Sequence, residues 1–179
     1  AQKRAVQEAM ADMMGDTPMN RLVQGDVGSG KTAVAAALCY CVIQNGMQAA
    51  LMAPTEVLAR QHEKNLSAML APAGIRTALL VGSMTPKQKR LTAEALAAGE
   101  IQLIIGTHAL LTEGVAFQKL GLVVTDEQHR FGVAQRAALA QKGENPHLLV
   151  MSATPIPRTL ALMIFGDLDI SILDELPPG

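Results

Sequence analysis

The residues able to do chemistry gather in a glycine-rich stretch and an acidic pair. Gly25-Asp26-Val27-Gly28-Ser29-Gly30-Lys31-Thr32 fits G-x-x-x-x-G-K-[ST], the pattern of a phosphate-binding loop. Glycines let the backbone curl so that successive N–H groups converge on one anion. A helix starting at the end of such a loop adds its unpaired N–H groups and its dipole. Lys31 offers a mobile cation to β- and γ-phosphates, and the Thr32 hydroxyl can ligate Mg2+. Gly25, Asp26, Val27, Gly28, Ser29, Gly30, Lys31 and Thr32 are therefore the expected nucleotide contacts. A glycine-rich turn could match by chance. The flanks favour the motif: Arg21-Leu22-Val23-Gln24 reads as a strand and Ala33-Val34-Ala35-Ala36-Ala37-Leu38 as a helix.

The acidic pair ends the apolar run Leu122-Val123-Val124-Thr125. Asp126 there would hold Mg2+, mostly through water. Glu127 would polarise the attacking water as general base. Taken alone, Asp126-Glu127 is equally well a pair of solvated acids at a strand end. A phosphate-binding loop upstream in the same pattern shifts the balance toward chemistry.

The elements that must position these groups alternate between strand and helix. A helix is predicted over 1–14, then a strand at Leu22–Gln24, then a helix from Lys31 to about Asn45 with Gly46 beyond its end. Ala49 to Ala53 is continuously apolar, as a strand covered on both faces would be. Thr55 is placed to cap a helix carrying Val57, Leu58, Gln61, Leu66 and Met69, closed by Pro72 and Gly74. A strand from Ile75 to Val81 leads to Thr85-Pro86, a strong helix start, with Leu91, Ala95 and Leu96 as the apolar face. Further strands are predicted at Ile101–Ile105, Leu120–Thr125, His147–Met151 and Asp169–Leu173. This order argues an α/β domain over 1–179, a mostly parallel sheet with helices on both faces. Ligands of such sheets sit beyond the carboxyl ends of the strands. The polar clusters Gly25–Thr32, Pro54-Thr55, Gly106-Thr107-His108, Asp126–His129 and Ser152-Ala153-Thr154 all follow strands, so they should share one sheet edge.

Composition sets limits. The chain has 179 residues, 49% of them hydrophobic but only 2% aromatic, so its core must be aliphatic. So few aromatics weigh against single-strand binding by base stacking. The net charge of -1 provides no global basic field for nucleic acid. No apolar run is long enough to span a membrane, and no basic-then-apolar leader opens the chain. Cys39 and Cys41 stand two apart on a predicted helix and read as free thiols of a reducing compartment. His62 and His147 are expected to be solvated, and Met and Leu on helix faces to be core. The closing Pro177-Pro178-Gly179 reads as a linker, as in a domain cut from a longer protein.

Together the motifs carry a family resemblance. Asp126-Glu127-Gln128-His129 resembles motif II of the superfamily 2 helicases, the DEAD/DEAH group. Ser152-Ala153-Thr154 resembles their motif III, Pro54-Thr55-Glu56 with Leu58-Ala59 and Gln61 their motif Ia, and Gly106-Thr107 their motif Ib region. Asp126 through Val133, Ser152 through Leu160 and Asp174 through Gly179 narrow this to the RecG family of bacterial branch-migration helicases. The transcription-repair coupling translocases are the nearest alternative. The resemblance implies a RecA-like P-loop ATPase domain, the first of two in a bacterial, cytoplasmic, monomeric double-stranded DNA translocase that remodels forks and Holliday junctions. ATP and Mg2+ are its cofactors, and DNA and a second RecA-like domain bearing an arginine finger are its partners. It implies Lys31, Asp126, Glu127 and His129 as catalytic residues, Thr32 and Asp126 as metal ligands, and Gln2 as an adenine reader. Thr55, Arg60, Gly82, Thr107 and His108 would face DNA phosphates, while Arg130, Ser152 and Thr154 would couple the DNA and nucleotide sites. Lys87, Lys89 and Arg90 add either a basic DNA contact or an ordinary solvated helix face. A P-loop ATPase without a nucleic-acid role would need a transporter's Ser-Gly-Gly-Gln or an arginine-bearing kinase lid, and neither is present. A non-catalytic module is at odds with intact Lys31, Thr32, Asp126 and Glu127.

Overall fold

The structure, a computed structural model, describes residues 20–25, 31–112, 114–127, 146–152 and 169–173. Apolar runs become strands β1 (Asn20–Gly25), β2 (Gln48–Met52), β3 (Thr77–Leu80), β4 (Leu103–Gly106), β5 (Leu120–Glu127), β6 (His147–Ser152) and β7 (Asp169–Leu173). Between them lie helices α1 (Lys31–Gln44), α2 (Glu56–Leu70) and α3 (Pro86–Ala97), with 3-10 turns at Ala71–Ala73 and His108–Leu111. The expected helix over 1–14 lies outside the described residues.

The strands form one sheet of order β3-β4-β2-β5-β6-β1-β7. Every neighbouring pair is parallel, so all strands point their carboxyl ends to the same edge. β2 shows how the sheet divides the core. Its successive side chains point to opposite faces. Ala49 and Leu51 join Val34, Leu38 and Val42 of α1 and Ala59, Leu66 and Leu70 of α2 on one side. Ala50 and Met52 join Leu96 of α3, Leu110 and Val115 on the other. Small residues suit this central position: with helices on both faces, side chains as small as Ala49 and Ala50 let them approach closely.

Local chemistry fixes the helix ends. The Thr55 hydroxyl accepts the Leu58 N–H at 3.2 Å. Thr85 and Gln88 exchange side-chain-to-backbone bonds of 3.1 and 3.0 Å, a capping box with Pro86 in the first turn. Beyond α1 and α3, Gly46 and Gly99 both take a φ of 80°. Side-chain-bearing residues rarely adopt that left-handed conformation.

Several expectations need correction. Val57 is 77% exposed, Met69 48% and Leu91 50%, so they are not core. The inward stripe of α2 instead runs through Ala59, Leu66 and Leu70, at helical spacings of about three and four residues. β3 starts at Thr77 rather than Ile75, although Ile75 is itself buried. His147 is not solvated. It opens β6 half-buried, and burial holds its imidazole below the ordinary histidine pKa. Cys39 and Cys41 are free, and burial pushes the Cys39 thiol up to about 12.

Candidate nucleotide and nucleic-acid site

Parallel pairing brings the carboxyl ends of sequence-distant strands to one edge. Gln24 stands opposite Ser152, and Ser152 opposite Glu127. On the other side of β5, Met52 pairs with Thr125 and also with Gly106. The ends of β1, β6, β5, β2 and β4 therefore lie side by side. Only β6 separates Gly25 from Glu127, a gap of about 10 Å at the usual strand spacing.

On the β1 side, β1 ends at Gly25 and α1 begins at Lys31. α1 is 14 residues long, so its first-turn N–H groups lack intrahelical partners and carry the positive end of its dipole. Thr32 sits half-buried in that turn. Gln2, Asp26, Val27, Gly28, Ser29, Gly30, His129, Arg130 and Thr154 lie outside the described residues. Lys31, Glu127 and Ser152 are placed by their backbone.

Asp126 is the best-defined acidic group. Thr125 before it is fully buried, which fixes the direction in which the strand delivers the next side chain. The Asp126 carboxylate is 17% exposed and accepts a hydrogen bond at 2.7 Å from His62 Nε2, itself 11% exposed. This overturns the expectation of a solvated His62. The physical reason lies in α2: position 62 falls between Ala59 and Leu66 on the buried stripe, so the imidazole must face the sheet. That periodicity was available in the sequence, and it is the signal that identifies His62.

The donor set fits Mg2+. A hydroxyl at Thr32 and a carboxylate at Asp126 are hard oxygen donors. Among the described residues no group of three or more His, Cys, Asp or Glu could enclose a metal. Mg2+ does not need such a cage, because it keeps waters and takes oxygens from substrate phosphates.

A second cluster sits at the start of α2. Arg60 pairs with Glu56 at 2.9 Å and reaches the Ser83 hydroxyl at 3.5 Å. Ser83 also donates to Glu56. That bond first, and the one from Arg60 second, hold the Glu56 carboxyl below its usual range. Thus Thr55, Arg60 and the Gly82-Ser83 turn share one surface. Leu80 pairs with Gly106, so Thr107 and the exposed His108 leave the sheet beside that turn. Lys87 and Arg90 are exposed on α3, and Arg90 approaches Glu94 at 4.0 Å.

Comparison with known proteins adds to this geometry. The sequence profile described as DEAD/DEAH box helicase matches residues 1–163. The ATP-dependent DNA helicase RecG of Aquifex aeolicus (strain VF5) is 58% identical over 181 residues, covering 100% of this chain and 23% of the relative. RecG of Escherichia coli (strain K12) is 55% identical over 183 residues, covering 100% of this chain and 26% of the relative. The structure of RecG bound to a three-way DNA junction superposes with a TM-score of 0.86 at 49% identity, covering 99% of this chain and 24% of that one. The chain thus spans about a quarter of the length of these relatives.

Proposed function

The chain belongs to the DEAD/DEAH box helicase family, and from that premise we propose that it is the ATP-binding motor domain of a double-stranded DNA translocase that remodels branched DNA. The observation that carries this reading is the shared edge of the parallel sheet. It aligns the phosphate-loop strand, Asp126-Glu127 and the Thr55, Gly82 and Thr107 turns. The likeness to a RecG held on a three-way DNA junction supports branched DNA as substrate.

The residues divide the work by chemistry. Backbone N–H groups of the Gly25–Thr32 loop and the start of α1 bind the triphosphate. Lys31 neutralises charge between the β- and γ-phosphates. Thr32 and Asp126 would hold Mg2+, which when bound offsets phosphate charge. Glu127 accepts a proton from the attacking water and orients it. Gln2 reads adenine, and His129 links the γ-phosphate side to Thr154 and Ser152. Thr55, Arg60, Gly82, Thr107 and His108 meet DNA phosphates, with Arg130 coupling the two sites. A second RecA-like domain would supply the arginine finger.

That division is testable. The 179-residue chain is expected to bind a fluorescent ATP analogue, with binding lost in Lys31→Ala. Its turnover should lie at least about 10³-fold below that of the chain joined to its second motor domain, the usual worth of an arginine finger. Strong, DNA-stimulated turnover by the 179-residue chain alone would overturn the two-domain reading.

A further inference from the structure

The inward stripe of α2 holds Ala59, Leu66 and Leu70, and its polar member is His62. An apolar side chain at position 62 would pack against the sheet at no polar cost. The imidazole carries such a cost. An ionised carboxylate only accepts hydrogen bonds, so the bond to Asp126 puts the proton on Nε2. In the neutral ring Nδ1 is then an acceptor, and it is buried with no hydrogen-bond partner among the described residues. The compensation visible in the structure is the 2.7 Å bond to Asp126.

We propose that His62 is the positioning residue of the Asp126 carboxylate, setting the orientation in which that carboxylate meets nucleotide-bound Mg2+. The inference rests on the reading of Asp126 as the metal carboxylate given above. An aspartate at a strand end turns freely about its side-chain torsions unless a partner holds it. With exposures of 11% and 17%, this pair is shielded from competing water, which strengthens the bond relative to a surface contact. Hydrogen-bond partners of metal-binding carboxylates typically carry part of the metal affinity.

The bond also joins two surfaces. His62 lies seven residues beyond the Thr55 cap, or about 10 Å along the axis at 1.5 Å per residue. The metal carboxylate is therefore anchored to the helix whose first turns carry Thr55 and Arg60. A displacement of that helix reaches Asp126 through one hydrogen bond rather than through the sheet.

The test uses the full-length polypeptide and three substitutions. His62→Gln places an amide N–H near the Nε2 position. His62→Asn keeps an amide but is too short to reach. His62→Leu fills the stripe without a donor. The readout is the dissociation constant of a fluorescent ADP in EDTA and in Mg2+, whose ratio gives the Mg2+ enhancement. Leu and Asn should lose about tenfold of that enhancement while Gln stays within about twofold of the parent. Affinity in EDTA should be unchanged in all three. Parent-like enhancement in His62→Leu, or a common loss in Gln and Asn, overturns the proposal. Should the Leu variant fail to fold, the Gln–Asn contrast decides, because a purely structural role treats the two amides alike. Asp126→Asn tests the underlying reading separately: if it keeps full Mg2+ enhancement, Asp126 is not the metal carboxylate and the His62 proposal falls with it.

Discussion

Replacing Gln48 with Leu should cost the fold several hydrogen bonds at one point. Gln48 opens β2 and is only 4% exposed. Its Nε2 donates to the carbonyls of Leu96 and Ile101, each at 2.8 Å. Its Oε1 accepts the Lys119 N–H at 3.0 Å. One side chain thus ties the end of α3, the turn into β4 and the entry to β5. The Leu96 carbonyl also accepts the Gly99 N–H at 3.1 Å, so it is not stranded by the change. The Ile101 carbonyl and the Lys119 N–H lose the bonds that Gln48 gave them. At about 1–3 kcal/mol for each such group, less about 1 kcal/mol for the added apolar burial, the net loss is about 1–5 kcal/mol. With a urea dependence of about 2 kcal/mol per molar, the midpoint should fall by about 0.5–2.5 M. The chain contains no Trp, so unfolding is followed by far-ultraviolet circular dichroism. Gln48→Glu should be worse than Leu, because it turns a carboxylate oxygen toward two carbonyl oxygens. A Leu variant whose midpoint lies within about 0.3 M of the parent would refute the reasoning.

Other outcomes follow from the buried titratable groups. In the native 179-residue chain, a thiol reagent near pH 8 (about) should label Cys41 and spare Cys39, whose thiol is held protonated up to about 12. Both should react after urea unfolding, and native labelling of Cys39 would contradict its burial. His147 has a folded pKa below its unfolded value. Its contribution to stability is therefore present above about pH 6.5 and is lost as the pH falls through the lowered folded value. Melting temperatures measured from about pH 7.5 down to 5 should fall less steeply in His147→Gln than in the parent.

Much of this architecture was legible because its signals are local. Ala49 to Met52 reads as a strand covered on both faces and Leu122-Val123-Val124 as an apolar strand, and all these residues are buried. Thr55 and Thr85-Pro86 read as helix starts and make their cap bonds. The polar clusters at strand ends implied a common edge, and the parallel pairing brings the carboxyl ends of the strands that precede them together. What escaped depends on residues far apart in the chain. Gln48 borders an apolar run and gives no hint that it bonds residues 48, 53 and 71 positions away. The bond from His62 to Asp126 crosses 64 positions. Val57, Met69 and Leu91 show the opposite failure. Each fits an apolar list, but helical direction turns each toward solvent.

The place of β1 in the sheet has a consequence for the order of assembly. This strand, which ends at Gly25, is made before the other six, yet its neighbours are β6 and β7, the last two in chain order. Chains emerge from the ribosome amino-terminus first, and sheet pairing across such separations is slow because the loop entropy comes due before the contacts do. β2, β3 and β4 can pair while the rest is still being synthesised. β1 must wait unpaired until β6 and then β7 arrive. Among the strands of this sheet β1 is the first translated and among the last to be seated, so the edge at which it ends is complete only once β6 has emerged.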